Sequence, residues 1–375
     1  MDQATDVAII GGGVIGCAIA YYLRKLGRDV TVFDRGLIGG EASSAAAGLL
    51  APLGHLAGPG PFTNLLLASH ALFPALVDEL EEASGVRVDY ERSGTFYLLQ
   101  DSEDAENFKA RLQGIDLADY HLQWLTGAET CKQEPLLHDA IYGALYVPEE
   151  AIIRPAYLVK AFVTAATRAG ARFVEHTEIT GIERQGAKVT AVRTNKQTLI
   201  HCRHVVFTAG AWGAMYGKLL DLTIPVSPLR GQILTLHQPA TPLRHIVFDN
   251  DFYLAPRPDG TVVVGATREQ AGFEKHLTAG GIAHVLATAI RLAPQLAQAE
   301  IDQMWLGLRP CSPDGQPILG PVDCWENVTV ATGHSGLGIL LSPITGQSIA
   351  HLIATGDAPE IICPFALSRF VTETP

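Results

Sequence analysis

The chain has 375 residues, 47% hydrophobic and 18% charged, which excludes a disordered chain and suits one large or two interleaved domains. Its 39 acidic and 27 basic side chains give a formal net charge of -12 with no basic tract, which argues against nucleic acid as a partner, since phosphate neutralisation needs clustered Lys and Arg. No apolar run of about 18 residues predicts a transmembrane helix, and the first six residues lack the basic and apolar parts of a secretory signal, so a cytoplasmic protein is expected, with peripheral membrane contact left open.

The apolar run Val7–Ile10 predicts a buried parallel strand. The turn Gly11-Gly12-Gly13-Val14-Ile15-Gly16 follows, then a helix from Cys17 to Leu26 ended by Gly27, and a second strand, Val30–Phe33, ending at Asp34. Residues 41–50 are rich in small side chains, including Ser43, Ser44, Ala47 and Gly48, which suits close approach of the backbone to a flat or charged group. Phe73–Ala83 predicts a helix and Gly94–Leu99 a strand. Arg154-Pro155 opens a helix running to about Ala169. Ala171–Thr177, Lys188–Thr194 and His204–Phe207 predict strands, the last leading into a second glycine-containing turn, Thr208-Ala209-Gly210-Ala211-Trp212. Gly231–Leu236, Phe252–Ala255 and Thr261–Val264, joined by turns such as Pro258-Asp259-Gly260, predict a mostly antiparallel sheet. Gly281–Leu296 predicts a helix. Val328–Thr332 predicts a core strand that passes through Gly333-His334-Ser335-Gly336-Leu337-Gly338 into a helix ending near Ala354.

Gly11-x-Gly13-x-x-Gly16 is a dinucleotide fingerprint in its proper context, after a strand and opening a helix. Gly11 permits the tight turn, Gly13 lets the backbone approach a pyrophosphate, and Gly16 lets helix and strand pack closely. The helix N-terminus offers N–H groups to the anion, and Asp34, about 20 residues on, would accept hydrogen bonds from ribose hydroxyls. FAD rather than NAD is expected because distant segments suit a longer cofactor. The 43–48 stretch fits the pyrophosphate and ribityl chain, and the loop Gly333–Gly338 could aim N–H groups at the flavin N1 and C2 carbonyl, where reduction places negative charge. The six cysteines form no C-x-x-C and no zinc-ligand spacing, so no metal is expected, and reduced, mostly buried thiols are.

Several further segments carry a resemblance: Ser44-Ala45-Ala46-Ala47-Gly48-Leu49, Pro225–Gln232, Tyr253-Leu254-Ala255-Pro256-Arg257, Val264-Gly265-Ala266-Thr267, Gly307-Leu308-Arg309-Pro310 with Pro313-Asp314-Gly315, and Gly338-Ile339-Leu340-Leu341. With Gly11–Tyr22 and Gly333-His334, they make the chain resemble the D-amino-acid oxidase-like flavoenzymes, most closely the bacterial glycine oxidases of thiamine biosynthesis. The resemblance implies an α/β fold: a discontinuous Rossmann-like FAD-binding domain (1–90, 150–215 and 305–375) and an α+β substrate domain with a mostly antiparallel sheet (91–149 and 216–304). It implies FAD contacts at Val14, Ile15, Asp34, Arg35, Ala42, Ser43, Ala47, Gly48 and Leu49, and an adenine contact through the backbone of Ile179. It also implies that His334, Ser335, Gly336, Leu337, Gly338, Ile339 and Leu340 border the flavin ring. Arg309 matches the arginine that binds the substrate carboxylate, and guanidinium suits that anion as a bidentate fork. Taken alone, Arg309 reads as a surface or structural arginine. Tyr253 matches a tyrosine that positions substrate and reads equally as a core aromatic.

The chain departs from glycine oxidases in places, Asp251 for one standing where a histidine can occur. Ser335-Gly336-Leu337 stands where a second arginine is usual and looks more like D-amino-acid dehydrogenases and sarcosine oxidase-like proteins; Leu49 replaces a methionine. Cys311 does not match the motif of relatives that attach FAD covalently, so non-covalent FAD is expected. The implied activity is oxidation of glycine, sarcosine or a small D-amino acid by hydride transfer from Cα to flavin N5, giving oxo acid, ammonia and, with molecular oxygen as acceptor, hydrogen peroxide. Alternatives are a dehydrogenase that passes electrons to a quinone or carrier, and a flavin-binding module without enzymatic activity. A homo-oligomer is among the expected assemblies.

Overall fold

In the computed structural model, which describes residues 3–370, two eight-stranded sheets and one two-stranded pair carry the chain. The first sheet is centred on Gln3–Ile10, where Val7 to Ile10 are all buried, as a strand covered on both faces requires. This strand pairs in parallel with Val30–Phe33 on one side and Leu199–Phe207 on the other, Val7 facing Val30 and Ala8 facing Val205. Arg172–Val174 extends one flank; Val328–Thr332 and the antiparallel Ile318–Pro321 extend the other. A hairpin of Ile179–Gln185 and Lys188–Thr194 adds to the early part of Leu199–Phe207.

The crossover helix begins at Val14 rather than Cys17, because extended Gly13 already caps it and the end of the glycine fingerprint forms its first turn. Arg24 and Lys25 lie in its last turn, where they oppose the negative end of the helix dipole, and Gly27 leaves at φ +73°. Beside it runs the last helix, Gly338–Thr355. A Cβ on Gly346 would stand 2.8 Å from Tyr22 and 2.9 Å from Ala18, so only glycine permits this approach. A Cβ on Gly338 would be 3.9 Å from Val14 Cγ1, which puts the N-terminal turns of the two helices side by side.

The second sheet runs in the order 301–311, 227–237, 261–265, 252–256, 246–249, 95–99, 143–147, 123–126. Every neighbouring pair is antiparallel except Ile246–Asp249 with Thr95–Leu99, so the expected mostly antiparallel sheet is present. Alternation along its strands divides its two faces. Phe96, Leu98, Val247, Leu254 and Val264 share a core with Val285, Ala289 and Leu292 of the helix Ala279–Leu292, whereas Tyr97, Phe248, Tyr253, Ala255 and Val263 join the core shared with the first helix. Each fully buried side chain of this size contributes about 1.5–3 kcal/mol relative to exposure.

Some elements differ from expectation. The predicted helix Gly281–Leu296 is α-helical only over Ala279–Leu292; Pro294 keeps Ala293 out of the helical region, at φ -137° and ψ 85°, and a 3-10 turn follows. Phe73–Ala83 is the second half of a 24-residue helix, Pro61–Ser84, which runs through Pro74. The strand Ile301–Cys311 was not anticipated; Gly307 and Pro310 interrupt its pattern and its first half is exposed. Of the six cysteines, all free, only Cys17 and Cys202 are buried; Cys324 and Cys363 lie exposed on surface turns, which corrects the expectation of mostly buried thiols. Among the described residues no helix is long and apolar enough to cross a membrane.

Candidate active site

The glycine turn is shaped by contacts that leave no room for side chains. Gly11 has φ +113°, and a Cβ there would meet the Thr208 carbonyl oxygen at 2.4 Å; a Cβ on Gly16 would meet the Gly11 carbonyl oxygen at 2.1 Å. Asp34 lies under this turn, its two carboxylate oxygens accepting the Gly12 and Gly36 N–H groups at 2.7 Å each. Each oxygen keeps a lone pair for a further donor. The Ser43 hydroxyl, on the one-turn helix Ala42–Ala45, accepts the Val14 N–H at 2.9 Å and so sits at the helix N-terminus that would face an anion. Arg35 stacks 3.9 Å above the Trp212 ring. Ile179 is buried at the start of its strand, two residues after Thr177, whose N–H donates to the Asp34 carbonyl at 2.7 Å. These contacts bring Gly11, Gly13, Val14, Gly16, Asp34 and Ser43 together around the turn; Ile15 follows in the helix, Arg35 adjoins Asp34, and Ile179 lies two residues beyond Thr177. Thr208 belongs there too, its hydroxyl donating to the Gly11 carbonyl at 2.6 Å. It was not among the expected site residues, although the second strand-to-glycine turn was visible in the sequence.

Two more of the expected segments are also held by close contacts. Gly48 has φ +91° and sits where a Cβ would be 1.8 Å from the Ile153 carbonyl oxygen. Its neighbours are held as well: Arg257 donates to the Ala47 carbonyl at 3.3 Å, and Leu49 pairs with Ile152. The loop 333–338 turns through Gly333 at φ +74° and Ser335 at φ +51°. It is pinned by the Ser335 N–H on the Pro310 carbonyl at 2.8 Å and by Cys311 Sγ, 3.3 Å from Ser335 Oγ. His334 is buried, and burial holds its imidazole down at about 3, so it stays neutral and packs against Thr345 Oγ1 at 3.2 Å. From Gly338 the last helix leads through Ile339 and Leu340, and no side chain caps its N-terminus.

Arg309 reaches this region from the strand Ile301–Cys311. One guanidinium N–H donates to the Thr267 carbonyl at 3.0 Å, and no carboxylate among the described residues lies within ion-pair distance of it. Gly231, on the neighbouring strand, clears its space: a Cβ there would be 2.4 Å from Arg309 Nη1. Gly336 closes on it from the loop, with a Cβ position 3.7 Å from Arg309 Nε. Tyr253 lies opposite Gly265, whose Cβ would be 2.7 Å from the phenol oxygen. Burial pushes the Tyr253 phenol up to about 12, against the charges of Arg309 and Arg257, so it remains a neutral hydrogen-bond donor. Its ring packs edge-on to Phe248, which stacks on Tyr97. A guanidinium without a carboxylate partner beside a neutral phenol suits capture of a small carboxylate.

The cradle fits FAD by its own geometry: glycines where a Cβ would collide, a carboxylate under the turn, and two helix N-termini side by side. Comparison with known proteins agrees. Residues 6–352 match the DAO family, described as FAD-dependent oxidoreductases. The chain is 35% identical over 373 residues to the glycine oxidase of Geobacillus kaustophilus, covering 99% of this chain and 98% of that one. The crystal structure of glycine oxidase from that organism superposes with a TM-score of 0.93, covering 99% of this chain and 100% of that one at 34% identity. The hydrogen cyanide synthase subunit HcnC of Pseudomonas aeruginosa is 33% identical over 410 residues, 100% of this chain and 98% of its own. The iminodiacetate oxidase of Chelativorans sp. BNC1 superposes with a TM-score of 0.87 at 27% identity, covering 96% and 98% of the two chains. The protein therefore uses FAD and is an enzyme, which sets aside the non-enzymatic module: the chain belongs to the DAO family of FAD-dependent oxidoreductases and acts on the CH–NH2 or CH–NH groups of amino acids.

Proposed function

We propose that the protein oxidises the Cα–N bond of glycine or another small amino acid, sarcosine or a small D-amino acid, to the imino acid. Water then hydrolyses the imino acid to the oxo acid and ammonia, and molecular oxygen takes up the electrons to give hydrogen peroxide. The observation that carries this reading is the Arg309 guanidinium, which has no carboxylate partner among the described residues and lies in space cleared by Gly231. Arg309 binds the substrate carboxylate, and Tyr253 donates a hydrogen bond that orients the substrate. Leu49 bounds the pocket from the segment facing the ring.

In this reading Gly11 to Gly16, Asp34 and Arg35 hold the ADP half of FAD, with the Ile179 backbone at adenine. Ala42, Ser43 and Ala47 to Leu49 follow the pyrophosphate and ribityl chain, and His334 to Leu340 border the ring. Bound FAD supplies a two-electron acceptor for the Cα hydrogen, so no side chain needs to be a strong base. The buried, neutral His334 agrees with that. FAD is held without a covalent bond. The division into an FAD part (1–90, 150–215, 305–375) and a substrate part (91–149, 216–304) follows sheet membership, except that residues 305–311 continue a strand of the antiparallel sheet.

Anaerobic mixing with glycine, sarcosine and D-alanine, followed by flavin absorbance, tests the reading. Bleaching by at least one substrate is expected; bleaching by none overturns it. A second reading, a dehydrogenase that reduces a quinone or carrier, draws on Ser335-Gly336-Leu337 in place of a second arginine. Turnover on an artificial dye without matching peroxide in an oxygen electrode would favour it.

A further inference from the structure

Arg309 sits on one face of the antiparallel sheet. On the other face, directly behind it, lies a cluster of buried polar side chains that the chemistry above does not use. Gly231 faces Arg309, so its chain neighbours Arg230 and Gln232 point the opposite way. Both are buried, and both end on the carboxylate of Glu269. Arg230 Nε donates to it at 2.8 Å, with a second donation from Nη2, and Gln232 Nε2 donates at 2.8 Å.

The backbone joins this cluster to Arg309. Arg230 and Glu269 exchange two N–H···O bonds at 2.9 Å each. Two residues along, the Thr267 N–H donates to the Gln232 carbonyl at 3.2 Å, while the Gln232 N–H donates to the Thr267 hydroxyl at 2.8 Å. Thr267 is thereby held through both its backbone and its side chain, and its carbonyl is the acceptor for Arg309. A long guanidinium side chain loses conformational freedom when it binds, so fixing it beforehand strengthens capture of an anion.

We propose that Glu269 is a positioning residue for substrate: by gathering Arg230 and Gln232 behind the sheet, it fixes the Thr267 carbonyl and so aims Arg309 at the substrate carboxylate. This rests on the reading of Arg309 as the carboxylate seat. It adds that carboxylate affinity is set partly by a half-buried acid on the far side of the sheet from Arg309.

The test titrates acetate into the FAD-loaded enzyme and follows the flavin absorbance, with FAD content and thermal midpoint as controls. Glu269→Gln is expected to weaken acetate about tenfold and to raise KM for the best amino-acid substrate while kcat holds. Combined with Arg309→Ala, the same change should add nothing further. An equal loss in the Arg309→Ala background, or no loss in the native one, overturns the proposal. Should Glu269→Gln yield no holoenzyme, Thr267→Val takes its place, with Thr267→Ser expected to restore binding; failure of Thr267→Val to weaken acetate overturns the proposal as well. Acetate binding unaffected by Arg309→Ala alone would remove the carboxylate seat itself, and this inference with it. Weakening in Arg309→Ala but not in Glu269→Gln would remove only the role of Glu269.

Discussion

The dinucleotide cradle and the proposed carboxylate seat are built on opposite plans. The cradle is backbone, drawn largely from one contiguous stretch: glycines without Cβ atoms, helix N–H groups and one carboxylate under the turn. The seat is side chain. Arg309 comes from one strand, its orienting carbonyl from a residue 42 positions away, and the space around it from glycines on two further segments. A cradle of this kind fails when a methyl group is added. A seat of this kind fails when a charge is removed, and it is tuned by whatever holds that charge still.

Changes that add bulk to the cradle should have the largest effect. Gly16→Val places carbon 2.1 Å from the Gly11 carbonyl, and the purified protein is expected to be colourless, with the 450 nm flavin band lost. A yellow Gly16→Val protein would break the contrast between the two plans. Next comes Arg309→Ala, which should keep its flavin yet raise KM roughly 100-fold, the scale of a lost charge-assisted pair. Loss of flavin together with substrate affinity would show that the two regions are not separable. Gly231→Ala sharpens the point, since its new carbon would displace the guanidinium from a position 2.4 Å away. KM should rise about tenfold with FAD content and kcat little changed, as steady-state kinetics would show.

A fourth outcome concerns the wall that carries Leu49. Glu150 is wholly buried, accepts the Leu53 N–H at 2.9 Å and the single Tyr97 O–H, which lies 2.9 and 2.7 Å from its two oxygens, and so ties the turn after Leu49 to the substrate sheet. Burial pushes its carboxyl up to about 7, against those hydrogen bonds. The folded protein thus holds this proton more tightly than the unfolded chain. The stability it contributes is full below about pH 4.5 and is lost as pH rises through 7. Glu150→Gln, neutral throughout, should therefore lose less stability than the native protein between pH 5 and pH 8, by on the order of 2–3 kcal/mol. Parallel thermal midpoints across that range would contradict this. The smallest effect is expected at the rim: the exposed pair Arg268–Asp251, 3.0 Å apart, should change stability by about 0.5 kcal/mol or less when Asp251 becomes Asn.

The parts legible in the sequence were those with local causes. Val7–Ile10, the glycine turn and Asp34 announce a βαβ unit because strand, turn and helix are each dictated by neighbours a few residues away. The helix starting after residue 154 was likewise placed within a residue by its proline. Pro61–Ser84 was only half visible because an interior proline normally marks a boundary, and here tertiary packing carries the helix through it. The strand bearing Arg309 was hidden for a related reason: its first half is exposed on a sheet edge and shows no clean alternation.

By itself, then, the sequence determined a strand–turn–helix with a dinucleotide fingerprint, and it pointed to an acid for a ribose, small-residue loops for a long cofactor and, through resemblance, an arginine for a carboxylate. Only the tertiary structure decided that Arg309 stands without a carboxylate partner among the described residues, that Gly231 and Gly265 clear space for Arg309 and Tyr253, and that Glu269 lies behind them. The reason is physical. Backbone conformation at a glycine turn depends on the residues that form it, whereas the freedom of a charged side chain depends on which strands pairing brings alongside. The hydrogen bonds around Gln232 alone join residues 35 to 46 positions apart, contacts that no local pattern encodes.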